Sequence, residues 1–227
     1  MRIYAAAVAA CIAVCATPAV AQSPRELLAS AAFTARDKAT ALARIEAALD
    51  AAEDILKRDP DNHEALLQRA VGIGYRGKLK RNRHDVQAAR KGFEALVKAN
   101  PRDAEAQLAL AGWHLGAIIE LGPIVARTVL GARKAQGMQA LDRAVALAGG
   151  RAFIPAYASL TRIQLDPAAV APARSLAEAA VESRVANPVD RVMQRNAATL
   201  LALLKGGNGK AAAAQAERLM PFGRFDS

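Results

Sequence analysis

Asp59-Pro60-Asp61-Asn62-His63-Glu64-Ala65 is answered 41 residues later by Asn100-Pro101-Arg102-Asp103-Ala104-Glu105-Ala106. Each phrase closes one helix and opens the next. The proline cannot continue the helix before it. Asn62 or Asp103 can cap the helix after it, and Glu64 or Glu105 then falls in the first turn, facing the positive end of the helix dipole. The opening letters return at Asn187-Pro188-Val189-Asp190, 87 residues past the second copy, or about two periods on. A repeat of this length carried by helices predicts an all-α fold: a right-handed array of stacked antiparallel helix hairpins, with about 9–10 helices.

The periodicity around the two phrases agrees. Leu42, Ile45, Leu49, Ala52 and Ile55 recur at three- and four-residue steps between Lys38 and Arg58, the stripe of a helix buried on one side. From His63 to about Arg76 the apolar positions cover more than one face, while Val86, Ala89, Phe93, Leu96 and Val97 again form one stripe. One broad helix followed by one narrow helix is what a stacked hairpin requires. No strand-length alternation occurs, so no sheet is expected.

Residues 59–116 resemble tetratricopeptide repeats. Ala70 and Ala111 match the small position of the first repeat helix, Ala89 and Phe93 the small and aromatic positions of the second, and Pro101 the closing proline. The match departs from the family pattern at Leu96, where alanine is preferred, and at Leu66 and Gln107, where a tryptophan is. Its period also exceeds the usual length of about 34 residues, which implies longer turns. The resemblance implies a non-enzymatic interaction scaffold.

Residues 1–21 read as a secretory signal peptide: Arg2, a short apolar run, then Ala19-Val20-Ala21 before Gln22. The expected organisation is therefore a signal peptide over 1–21 cleaved after Ala21, a helical repeat domain over 22–220 and a flexible tail over 221–227. Export to the periplasm follows. Val8-Ala9-Ala10-Cys11 loosely resembles a lipoprotein box, the weaker alternative. Both cysteines, Cys11 and Cys15, fall within the leader, so cysteine nucleophiles, disulfides and thiolate metal sites are excluded from the exported chain. The leader carries one arginine and no acid, which leaves the remainder with a charge of +9. That excess suits an acidic protein surface, anionic lipid head groups or an envelope polymer, and in an exported protein nucleic acid is not the expected partner.

Two stretches carry the candidate binding residues. Arg76-Gly77-Lys78-Leu79-Lys80-Arg81-Asn82-Arg83-His84 reads as a basic loop between paired helices; Arg76, Lys78, Lys80, Arg81 and Arg83 would contact an anionic partner. Leu121 to Ala132 is an apolar insertion where a tight polar turn belongs. With Trp113, His114 and Glu120, its Ile124 and Leu130 would line a groove or pocket, or the insertion could be an oligomer contact or a membrane-touching edge. The three histidines, His63, His84 and His114, build no catalytic or metal-ligand spacing, and no phosphate-cradling loop is present, so neither enzyme nor cofactor is expected. The leading expectation is an exported scaffold that binds a protein or peptide. The alternatives are a small-ligand subunit, resembling the repeat proteins that accompany some periplasmic solute transporters and taking an apolar or acidic ligand, and a binder of anionic polymer or head groups, with peripheral membrane contact.

Overall fold

Side-chain caps set most of the helix starts in the computed structural model, which describes residues 22–225. The signal peptide expected over 1–21 lies outside the described residues. Ser23 accepts the Glu26 N–H and the Glu26 carboxylate takes the Ser23 N–H, a closed capping box that starts α1 (Pro24–Phe33). Asp37 caps α2 (Lys38–Arg58), Asn62 caps α3 (His63–Lys80) and Asn82 caps α4 (Arg83–Ala99). Asp103 accepts the Glu105 and Ala106 N–H groups at the head of α5 (Ala104–Leu121). A short turn, α6 (Pro123–Val125), runs into a π-helical turn at Ala126–Leu130. Then come α7 (Lys134–Ala146), α8 (Phe153–Leu165), α9 (Val170–Glu182), α10 (Pro188–Lys205, capped by Asn187) and α11 (Gly209–Leu219). No strand occurs among the described residues, and the packing is that of a helical repeat array.

The hairpins are α1/α2, α3/α4, α5/α7, α8/α9 and α10/α11. Their first helices also touch one another: α3 lies between α1 and α5, α8 between α5 and α10, and α10 returns to α1. The inner helices thus close into a ring, and α11 packs against α8 as well as against α10. Small residues let the layers approach. Ala70, Ala89 and Ala111, at the expected small positions, are buried, as is the bulky Phe93, and Leu141 and Ala144 of α7 are buried too. A Cβ on Gly137 of α7 would sit 2.6 Å from Leu115 of α5.

Two expectations about length need correction. The long period comes from long helices, 18 residues in α3 and 17 in α4, and not from long turns. The basic stretch read as a loop is mostly the end of α3, with Arg81 in the left-handed region at φ 52° and Asn82 making the whole turn. Lysines at a helix C-terminus face the negative end of the dipole, so the charge run favours the helix it was expected to interrupt.

The described part of the tail is docked instead of loose. Its Phe222 N–H donates to the Ala32 carbonyl at 3.1 Å, and the ring, 2% exposed, packs edge-on to Tyr75 at 4.9 Å. Leu28, Ala31 and Leu79 form the apolar bed beneath it. Arg224 donates to the Ala35 carbonyl. The last hairpin is so tied to the first.

Candidate functional site

Because the inner helices run alike around the ring, their N-termini gather at one mouth. Arg25 of α1 forks onto both oxygens of Glu64 of α3 at 2.7 and 2.6 Å, and its third nitrogen reaches Glu105 of α5 at 2.7 Å. Arg151, just before α8, bridges Glu105 to Asp190 of α10. Asp190 is fully buried and also accepts the Phe153 and Ala186 N–H groups. Although burial opposes it, the Glu64 and Glu105 carboxylates raise the Arg25 guanidinium above its usual pKa. The mouth opens on a recess of about 260 Å³ between Arg25, Glu64, Leu67, Leu147 and Ile154. His63 is half exposed and shares a 2.5 Å hydrogen bond with Asp103.

Behind the mouth, α3, α5 and α8 each carry a stripe of partly accessible residues. On α3 the stripe is Val71 and Tyr75; on α5 it is Ala109, Gly112 and Gly116; on α8 it is Phe153 and Tyr157. All are partly accessible, and Val71, Gly112, Phe153 and Tyr157 each lie between two buried neighbours. A Cβ on Gly112 would meet the Tyr157 hydroxyl at 2.7 Å, and one on Gly116 would meet nothing within 4 Å, so α5 offers the axis a trough. Neither the Tyr75 nor the Tyr157 hydroxyl hydrogen-bonds to a described residue. Burial pushes the Tyr75 phenol up to about 12 and raises Tyr157 as well, so both remain donors at neutral pH. One turn along α8, Thr161 is 1% exposed and its hydroxyl has no partner among the described residues. The opposite mouth is spanned by an ion pair between Lys78 of α3 and Glu120 of α5.

The candidate basic residues do not act as one patch. Arg76 is held by Asp85 at 2.7 Å and Glu46 at 3.2 Å, Lys80 by Glu46 at 2.9 Å, and Lys78 by Glu120. Arg81 and Arg83 are exposed and make no ion pair with described residues. The candidate groove residues do not converge either. Trp113 is 9% exposed, donates its indole N–H to the Val86 carbonyl at 2.7 Å and lies under the Arg90 guanidinium at 5.1 Å. His114, 1% exposed, accepts the Arg133 N–H at Nδ1, and burial followed by the Arg90 charge lowers its pKa to about 4. Leu130 packs into this core, Glu120 stands at the mouth, and Ile124 points outward, 79% exposed.

No protein-family model, curated protein or solved structure matches this chain. The site therefore stands on its own geometry. Arg25, Arg151, Tyr75 and Tyr157 escaped the sequence reading, yet two signals point to them. Arg25, Glu64 and Glu105 each stand two places after their cap, and Ala109, Gly112 and Gly116 make a small-residue stripe at helical spacing.

Proposed function

We propose that the chain is a non-enzymatic binding protein of the cell envelope, a right-handed tetratricopeptide-like array that holds a small organic ligand on the axis of its inner ring. The carrying observation is the pair of donor phenols, Tyr75 and Tyr157, which hydrogen-bond to no described residue and keep some accessible surface. A ligand acceptor on each would contribute roughly 0.5–1.5 kcal/mol, the net value of an ordinary hydrogen bond. The matching ligand has a slender apolar body, to lie along Val71 and Ala109, and a carboxylate or carbonyl to receive the phenols. Closure of α1 against α10 favours this reading over a peptide laid in an open concave groove. Neutralisation of Arg76, Lys78 and Lys80 by acids of the same chain likewise favours it over a polyanion at that stretch.

The test is intact-mass spectrometry of the protein purified gently from its own envelope fraction, native and then denatured. A native excess of a few hundred daltons, absent after denaturation and lost in a Gly116→Trp variant of unchanged helicity, is the expected result. A native mass equal to the bare chain would count against the ligand, and a co-purifying polypeptide would put the scaffold reading in its place.

A further inference from the structure

The insertion between α5 and α7 is apolar on two faces. Inward, Ala126 and Ala132 are buried and Leu130 packs beside them against Trp113 and Ile118. Outward, Leu121, Ile124, Val125 and Val129 are 43, 79, 46 and 41% exposed, four of the six large hydrophobic residues exposed among the described residues. Ile124, Val125 and Val129 share the continuous α6 and π-helical segment, and Leu121 ends α5 just before it. Thr128 lies within that face, and its hydroxyl donates back to the Ile124 carbonyl at 2.5 Å, which satisfies its polar atom locally.

This outward face is held firmly. The Gln87 side chain donates to the Leu130 carbonyl at 3.1 Å, the Arg133 N–H is taken by His114, and the Ala132 N–H donates to the Ala126 carbonyl. An aliphatic ridge that is braced from behind and left in water has a cost, roughly 25 cal/mol for each Å² of apolar surface kept exposed.

Cations surround the ridge. Arg127 rises from its middle and Arg133 and Lys134 follow it directly, all three exposed. Arg83 stands one helical turn before Gln87 on the same side of α4, and Arg81 adjoins it in the turn. None of these five cations makes an ion pair with a described residue. No described helix is long and apolar enough to cross a bilayer, so a spanning segment does not account for the ridge. A short aliphatic face rimmed by unneutralised cations matches a bilayer surface, where side chains enter the acyl boundary while the rim meets anionic head groups.

We infer that this face is a peripheral docking site for an anionic lipid surface, with Ile124 as the leading inserted side chain and Arg81, Arg83 and Arg127 as head-group contacts. It is separate from the axial site and does not rest on it.

The experiment is flotation of the purified protein with vesicles of phosphatidylcholine alone or with added phosphatidylglycerol, at low and high salt. Wild type is expected to float with the anionic vesicles and to be released by salt. Ile124→Glu should lower that partitioning about tenfold, and each of Arg83→Glu and Arg127→Glu about fivefold or more, the effect of about 1 kcal/mol per cation near such a surface. These positions are exposed, so unchanged circular dichroism and melting separate lost docking from lost folding. Tyr75→Phe should float like wild type, which keeps failure of the axial reading distinct. Equal flotation of wild type and Ile124→Glu, equal binding to neutral vesicles, or no binding would each overturn the proposal. So would a benzoylphenylalanine photocrosslink from position 124 to a protein in the envelope, with none to lipid.

Discussion

A methyl group added at position 137 has nowhere to go. The Gly137 Cβ direction meets Leu115 at 2.6 Å and the His114 Cβ at 2.9 Å, both in the core. Gly137→Ala should destabilise the fold by roughly 1–3 kcal/mol, the usual cost of overpacking, measured as a lower urea midpoint with unchanged slope. His114 gives a pH signature. Burial lowers its folded pKa to about 4, below the usual histidine value of about 6.5, so the neutral form is favoured by folding. That contribution is complete above the unfolded pKa and is lost as pH falls from about 6.5 toward 4, a total of roughly 3 kcal/mol. His114→Asn keeps an acceptor for the Arg133 N–H but cannot protonate. Urea titrations across that window should show a shallower acid limb for the variant, and parallel limbs would refute the assignment. Single residues were the least legible level in the sequence. The Trp113-His114 pair suggested a pocket, yet whether an aromatic and an imidazole line a cavity or fill a core depends on what α4 and the insertion place against them.

At the level of elements, the caps and stripes were readable because each is settled within a turn or two of chain. Asn62, Asp103 and Asn187 all cap as their phrases predict, and Ser23 closes its box with Glu26. The end of α3 was misread because a run of cations looks like a solvated turn when its acids, Glu46 and Glu120, lie 30 residues or more away in sequence. The charge network at the ring mouth was hidden for the same reason. Arg151 joins Glu105 to Asp190, and Asp190 is fully buried, so removing the arginine leaves a carboxylate without its charge partner. Arg151→Met should cost about 2–3 kcal/mol, somewhat less than a fully buried pair because the guanidinium is 24% exposed. Adding Asp190→Asn should restore part of it, a coupling that a double-mutant cycle in chemical denaturation can measure.

For the whole molecule, the sequence specified stacked hairpins but not that the stack returns upon itself. Closure depends on the angle at which each hairpin leans on the next, and on contacts between α1, α10 and the tail that span most of the chain. Phe222 is the test of that closure. Phe222→Ala removes a ring packed against Tyr75, Leu28 and Ala31, and should cost about 3–5 kcal/mol. Hydrogen exchange should quicken first in α1 and α11, ahead of α4 and α5. Uniform quickening would mean that the array unfolds as one unit and that the tail is not a separate clasp.

The return of the tail to the first hairpin also orders events during synthesis. In an open array each unit can settle on its predecessor as it emerges. Here the bed of Leu28, Ala31 and Leu79 is made early but receives its covering ring only from Phe222, which is made after α11. Until then the leading hairpin presents bare hydrocarbon to its surroundings. A growing chain of this kind should depend on a holding chaperone until Phe222 has emerged, and should aggregate when synthesis halts before it.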